Sequence, residues 1–430
     1  MNKNQILKQY FGHTDFRQGQ APLIDAILSG RDVFGIMPTG AGKSVCYQIP
    51  GLMLEGITLV VSPLISLMKD QVNALTQSGV KAAYLNSSLS RGQYSQVLHR
   101  AAKGDYKIIY VAPERLTTES FLQFARQAKI AMVTVDEAHC VSQWGQDFRP
   151  SYLQIIEFIH QLPERPIISA FTATATAEVR EDVISILCLQ DPLVITTGFD
   201  RENLYFEVQK PSRKFSALLD ILNQNKGKSG IIYCSTRKTV EETCRELNNT
   251  GFSATRYHAG LSDEERRANQ EDFLYDRKEL MVATNAFGMG IDKSNVSFIV
   301  HYNMPKNLES YYQEAGRAGR DGNPACCILL YSGQDVRTNQ FLIEKSTEAN
   351  RELTEEMRQV VREKDRERLK AMTFYCATTD CLREYILRYF GETAPNFCGT
   401  SVVTAPTATQ ILKPWMSPLK PKKSCPVWPG

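Results

Sequence analysis

The stretch Val33-Phe34-Gly35-Ile36-Met37-Pro38-Thr39-Gly40-Ala41-Gly42-Lys43-Ser44 runs from a continuous apolar segment into a glycine-rich loop ending in lysine and serine. An apolar run of this length reads as a strand buried on both faces, and such strands belong to parallel sheets. The residues after it should open a helix. Backbone N–H groups in a loop of this kind point inward and cradle phosphates, helped by the helix N-terminus. Thr39, Gly40 and Gly42 shape that cradle. Lys43 is placed to neutralise the β- and γ-phosphates, and Ser44 to ligate Mg²⁺. Met37 stands where the usual pattern has its first glycine.

Working outward, short β-branched runs alternate with longer amphipathic stretches as far as about residue 305. Strands are expected at 33–37, 58–62, 108–111, 132–135, 167–171, 230–233, 280–282 and 298–301, with helices between them such as 65–79 and 238–250. That alternation implies parallel α/β sheets. It falls into two blocks, so two tandem parallel-sheet α/β domains are expected at 1–200 and 201–335. Residues 336–398 change character: acids and bases alternate over an apolar stripe of Met357, Val360, Val361 and Leu369. This reads as a solvated helix with i,i+4 ion pairs. Residues 399–430 hold six of the 19 prolines with Thr and Lys, and are expected to be a disordered tail.

Charge gives no support for a broadly basic surface. Fifty Lys+Arg face 47 Asp+Glu, and removing the tail's Lys413, Lys420, Lys422 and Lys423 leaves 46 against 47. Any nucleic-acid surface must therefore be a local patch. No apolar run approaches a membrane span, and the polar start resembles no signal segment. Eleven cysteines in 430 residues are too sparse for a disulfide scaffold, so a cytoplasmic setting is expected.

Asp136-Glu137-Ala138-His139 ends an apolar strand about 90 residues after the phosphate loop. An acid there projects into the crevice where α/β sheets bind ligands. Asp136 is suited to holding Mg²⁺ and Glu137 to polarising an attacking water. In the second block, Gln313-Glu314-Ala315-Gly316-Arg317-Ala318-Gly319-Arg320 carries two arginines three residues apart. A guanidinium offered from a facing domain makes hydrolysis depend on domain closure. Trp144 and Phe148, in the polar loop 143–150 beside the acidic box, offer π-faces to unstacked bases, and Arg149 suits a phosphate or a backbone carbonyl.

The ordered motifs resemble superfamily 2 helicases, and specifically the RecQ family of ATP-dependent DNA helicases, over about residues 5–398. The resemblance is carried by Phe11-Gly12-His13-Thr14-Asp15-Phe16-Arg17-Gln18-Gly19-Gln20, the phosphate loop, Ser62-Pro63-Leu64-Ile65-Ser66, Ala112-Pro113-Glu114-Arg115, the acidic box and Thr172-Ala173-Thr174-Ala175. Tyr233-Cys234-Ser235-Thr236-Arg237, the segment 283–292 and the arginine motif continue it. Gln143-Trp144-Gly145-Gln146-Asp147-Phe148-Arg149-Pro150 narrows it to RecQ. The resemblance implies that the two blocks are RecA-like domains, and that Arg17 and Gln20 contact adenine, with His13 at the stacking position. It implies that Arg317 and Arg320 reach the γ-phosphate, Arg320 as the finger, and that Thr172 and Thr174 couple the blocks. It also implies 3′→5′ movement on single-stranded and partly duplex DNA, in recombination and repair. An RNA-directed ATPase is the nearer rival, disfavoured by residues 11–20 and 143–150.

RecQ-like chains continue into a zinc module with the spacing Cys-x16-Cys-x2-Cys-x2-Cys. Cys381 and Cys398 match the first interval, but Ser401 and Thr404 occupy the next two positions. Two thiolates do not complete a tetrahedral Zn²⁺ site. A one-base slip through codons for Cys-Ser-Asn-Cys (TGT AGT AAC TGC) gives Val-Val-Thr-Ala, the string at 402–405. A frameshifted tail behind an incomplete zinc module is therefore expected. The alternative to an active helicase is a truncated chain that binds nucleotide or DNA without unwinding.

Overall fold

The computed structural model describes residues 1–287, 293–349 and 353–392. Its first sheet contains β1 (Val33–Ile36), β2 (Ile57–Val61), β3 (Ala82–Leu85), β4 (Ile108–Val111), β5 (Ile130–Val135), β6 (Ile167–Thr172) and β7 (Leu193–Thr196), all parallel, in the order β3-β4-β2-β5-β6-β1-β7. The second contains β8 (Leu204–Gln209), β9 (Gly230–Tyr233), β10 (Ala254–Tyr257), β11 (Leu280–Ala283), β12 (Phe298–His301) and β13 (Ala325–Leu330), in the order β10-β11-β9-β12-β13-β8. Helices cover the sheets, so the central strands are dry on both faces: β1, β2, β4, β9, β11 and β12 are buried at every position. The two RecA-like α/β units expected from the sequence are present.

All eight expected strands form, with ends shifted by at most two residues. Five more join them. β3, β7, β8 and β10 are the four sheet edges; β7, β8 and β10 carry Thr, Arg, Glu or Gln and so lack a continuous apolar run, while β3, Ala-Ala-Tyr-Leu, is apolar but only four residues long. β13 is interior.

The topology gathers the expected motifs. β5, β6 and β1 are neighbours, and from their C-terminal ends emerge the acidic box, Thr172 to Thr174 and the phosphate loop. This is the crevice end of a parallel sheet. In the second unit, β12 leads to the helix Leu308–Ala315, whose last turn runs into Arg317 and Arg320.

Three helices follow: Gly333–Ala349, Glu355–Ala377 and Leu382–Tyr389. The long charged helix starts where Thr354 Oγ1 accepts from the Met357 N–H, a side-chain N-cap. Its inner face buries Leu369, Met372 and Tyr375. Tyr375 packs against Tyr311 at 5.2 Å between ring centroids, and Phe390 stacks on Phe199 at 4.3 Å. These helices are therefore seated on the second unit and on the segment joining the two. Cys398 and the whole of 399–430, with the tail and frameshift expectations, lie outside the described residues. Among the described residues no helix is long and apolar enough to cross a membrane.

Candidate functional site

The phosphate loop turns through Gly40 (φ 85°) and Gly42 (φ 78°), left-handed conformations that favour glycine. The helix Lys43–Met53 begins immediately after. Gln20, buried on the neighbouring helix, donates its amide to the carbonyls of Ala41 and Gly42, both at 3.1 Å. Arg17 donates to the Gly40 carbonyl. In this state both residues brace the loop from outside, while His13 is exposed.

Lys43 reaches back to the Met37 carbonyl at 3.2 Å. Burial lowers its pKa, the carboxylates of Glu137 and Asp136 raise it, and Arg320 and Arg317 lower it. Five charged groups from two domains thus act on one point. Asp136 is pushed above the usual carboxylate range by burial first and by Glu137 second, with Lys43 opposing. Its Oδ1 accepts from the Glu137 N–H at 3.0 Å. Glu137 sits at φ 48°, a left-handed conformation costly for a residue with a side chain.

Two polar atoms here lack hydrogen-bond partners among the described residues: Thr39 Oγ1 and Glu137 Oε2, both buried. Glu137 Oε2 lies 3.4 Å from His139 Nδ1, but that nitrogen engages Thr172 Oγ1 at 2.8 Å. Buried polar groups are rarely left unsatisfied. A phosphate chain with its counter-ion fits this surround, since Ser44 and Asp136 supply the hard oxygen donors that suit Mg²⁺.

The second domain closes over the loop. A Cβ on Gly316 would lie 2.5 Å from Thr39 Oγ1, and one on Gly40 would lie 3.4 Å from Cγ of Arg320. Arg317 is buried. The acidic box is wired across the same gap: His139 to Thr172, the Thr172 hydroxyl to the Thr174 carbonyl at 3.1 Å, and Gln313 Nε2 to Thr174 Oγ1 at 3.1 Å. Burial depresses the pKa of His139, favouring a neutral ring with one donor and one acceptor nitrogen.

The loop 143–150 abuts the box. A Cβ on Gly145 would fall 2.0 Å from the His139 carbonyl, so only glycine permits this approach. Trp144 is 37% exposed, and the Lys364 ammonium sits 3.8 Å above its ring. Phe148 is only 8% exposed, leaving no open face for a base in this state. Arg149 pairs with Asp147 at 2.9 Å and donates to the Pro63 carbonyl at 3.1 Å. Of the carbonyl and phosphate roles open to it in sequence, it takes the carbonyl here.

Cys381 is exposed at the start of Leu382–Tyr389, and Cys376 is buried. Among the described residues no three His, Cys, Asp or Glu side chains are grouped to hold a metal ion. Three polar residues of this region escape a motif-based reading. Arg201 and Asn203 lie in the connector between β7 and β8, and Arg383 lies on the helix Leu382–Tyr389; Arg201 and Arg383 bond across unit boundaries, and Asn203 holds the Gly319 carbonyl within the second unit. The only sequence signal was a run of charged residues in a connector.

Comparison with known proteins places these parts in one lineage. A DEAD/DEAH box helicase family model matches residues 17–183, a helicase conserved C-terminal domain 213–322, and a RecQ zinc-binding model 333–400. The chain is 47% identical to the ATP-dependent DNA helicase RecQ of Bacillus subtilis, covering 92% of this chain and 65% of that protein. It is 44% identical to the RecQ of Pasteurella multocida, covering 91% of this chain and 60% of that protein. The chain thus spans less than two thirds of these relatives. A protein named "Probable ATP-dependent DNA helicase RecS" of Bacillus subtilis is 36% identical, over 95% of this chain and 81% of its own length. In fold, the chain resembles the DUF1998 helicase MrfA bound to DNA, with a TM-score of 0.64, 17% identity and coverage of 80% of this chain and 50% of that one. It also resembles Saccharomyces cerevisiae Dbp5 bound to RNA and ADP BeF3, with a TM-score of 0.60, 17% identity and coverage of 85% and 97%. Identity to RecS sustained over most of both chains, with the two helicase segments and the zinc-binding segment in order, means that the chain belongs to the RecQ family of helicases.

Proposed function

We propose that the chain is the motor of an ATP-dependent 3′→5′ DNA helicase, coupling Mg²⁺-dependent ATP hydrolysis to movement along single-stranded DNA and to unwinding of partly duplex DNA in recombination and repair. The observation that carries this reading is the convergence of Lys43, Asp136, Glu137, Arg317 and Arg320, from two domains, around one phosphate loop. Residues 1–200 and 201–335 act as the two motor units, with 336–398 as an accessory module. Direction of movement and the DNA pathway rest on family membership.

Thr39, Gly40, Gly42 and Lys43 hold the β- and γ-phosphates, while Arg17 and Gln20 turn from bracing the loop to contacting adenine. Ser44 and Asp136 would hold Mg²⁺, which when bound would neutralise phosphate charge. Glu137 takes the water's proton toward its unsatisfied oxygen. Arg317 and Arg320 stabilise charge on the transferring group only when the domains close. Gln313, through Thr174 and Thr172, carries closure to the acidic box. Trp144 and Arg149 engage the strand, and Phe148 does so once the loop swings out. Zn²⁺ has one described thiolate candidate, Cys381, and no step is assigned to it.

ATP hydrolysis by the purified chain, with and without single-stranded DNA and beside Lys43→Ala, tests the reading. DNA-stimulated turnover that disappears in Lys43→Ala supports it; equal turnover in both proteins defeats it. A second reading, binding without unwinding, is favoured by Ser401 and Thr404 at the positions of the third and fourth zinc ligands. Stimulated hydrolysis without strand separation distinguishes it.

A further inference from the structure

Arg201 lies in the connector between the two sheets, partly buried, and its guanidinium is surrounded by carbonyls. One terminal nitrogen donates to the Thr39 carbonyl of the phosphate loop at 3.4 Å and to the Gly316 carbonyl at 3.3 Å. The other donates to Ala318 and Gly319, both at 3.1 Å, and Nε donates to Asn203 Oδ1 at 3.4 Å. Asn203 in turn donates to the carbonyls of Gly319 and Asn323, both at 2.8 Å. The turn that presents Arg317 and Arg320 is thus held by the connector, and the same guanidinium grips the phosphate loop of the opposite domain.

The chemistry suits arginine. Gly316, Ala318 and Gly319 follow the helix Leu308–Ala315, where carbonyls lack helical partners and the dipole favours a cation. A planar fork with five donors spans several carbonyls at once; an ammonium, a point charge on a flexible stem, does not.

The connector is itself clamped. Arg383 of the accessory module donates to Asp200 Oδ1 at 2.6 Å and to the carbonyls of Arg201 at 2.9 Å, Glu202 at 3.3 Å and Leu204 at 2.6 Å. Glu392 accepts from the Phe199 N–H at 2.9 Å.

We propose that Arg201 is a positioning residue for phosphoryl transfer, setting the seat of the arginine turn 316–320 against the phosphate loop, and that Arg383 carries the accessory module's support into the same seat. Neither side chain touches nucleotide. The module thereby becomes part of the hydrolytic apparatus at one remove. This inference rests on the ATP-hydrolysis reading above for its consequence, though not for its geometry.

The test has two arms. In the first, DNA-stimulated hydrolysis is titrated with ATP for Arg201→Ala, Arg201→Lys and Arg383→Ala. The expected result is a fall in kcat of about tenfold or more for both Arg201 variants, with KM changed by less than roughly twofold, because the reacting groups are displaced while the loop's own ligands remain. Arg383→Ala should fall in the same direction by about threefold, with Arg383→Lys recovering part of the loss through Asp200. A kcat unchanged in folded Arg201→Ala, or a KM rising in parallel with the lost kcat, overturns the proposal. In the second arm, hydrogen exchange is followed without nucleotide. The amides of Gly319 and Gly322, bonded to the carbonyls of Val296 and Gly319, should exchange roughly tenfold faster in Arg201→Ala while sheet-core amides stay protected. Unchanged exchange there overturns the seat whatever the activity. If the unmodified chain and Lys43→Ala hydrolyse ATP equally, the ATP reading fails, and the exchange arm still decides the positioning.

Discussion

Replacing Gly316 with alanine isolates what domain closure contributes. Gly316 has φ −64° and ψ −3°, an ordinary right-handed conformation, so alanine brings no backbone strain. By propensity alone it would stabilise that turn by about 0.5–1 kcal/mol. The new methyl, however, falls 2.5 Å from Thr39 Oγ1, about 0.9 Å inside the 3.4 Å where ordinary contact begins. Thr39 must swing or the domains must part, and the Arg317–Arg320 turn moves with Gly316. A misplacement near 1 Å at a reacting centre costs up to about 100-fold. The expected loss in kcat is therefore about 10- to 100-fold, or about 1.4–2.7 kcal/mol of barrier. The assay is DNA-stimulated ATP turnover at saturating ATP, with Tm measured beside it. Tm should stay or rise, and the double variant Thr39→Ala/Gly316→Ala should regain activity toward the Thr39→Ala level because the offending oxygen is gone. Wild-type turnover in Gly316→Ala, or a double variant no better than Gly316→Ala, would refute the reasoning.

Other expectations test other links. Trp144→Ala should retain basal hydrolysis and lose most of its stimulation by single-stranded DNA; unchanged stimulation sinks the coupling role of the loop. Asp32, 2% exposed, binds Arg165 at 2.6 Å and the Ile168 and Gln190 amides at 2.8 Å; Asp32→Ala should cost about 2 kcal/mol in denaturant unfolding, chiefly by leaving the buried Ile168 amide without its acceptor, and a cost below about 1 kcal/mol counts against this. Glu309, whose buried carboxyl faces Arg368, Tyr389 and Lys306, has its pKa raised chiefly by burial. The native chain keeps that proton where the unfolded chain has lost it, so stability falls as pH rises from the ordinary carboxylate range through the raised value. Thermal unfolding of Glu309→Gln should accordingly gain on the unmodified protein as pH rises over that window; a constant or shrinking gap argues otherwise.

β13, Ala-Cys-Cys-Ile-Leu-Leu, is an apolar interior strand outside the expected set; the other eight interior strands were legible because burial on both faces demands a continuous apolar run. The edges were not. β7 reads Leu-Val-Ile-Thr and β8 Leu-Tyr-Phe-Glu-Val-Gln, short or alternating segments whose strand state depends on the neighbour that pairs with them. Lys43, Asp136 and the two arginines could be read from spacing, since local chain geometry fixes a phosphate loop and a strand-end acid. What spacing could not supply was apposition. That Gly316 touches Thr39, or that Arg201 spans both domains, depends on how two sheets dock, and 115 residues separate Arg201 from Gly316. Phe148 illustrates the converse: its residue type suggested a stacking platform, while local packing keeps it buried.

The Lys364–Trp144 stack has a mechanical corollary. The accessory helices grip the second domain through Tyr375 on Tyr311 and Tyr389 on Glu309, whereas Trp144 is anchored to the first through Gly145 against His139. When the cleft opens, the lysine departs with one body and the indole remains with the other. The ring and its cover therefore form a built-in displacement gauge: any change in the spacing of the two bodies registers in the distance between this one ammonium and this one indole.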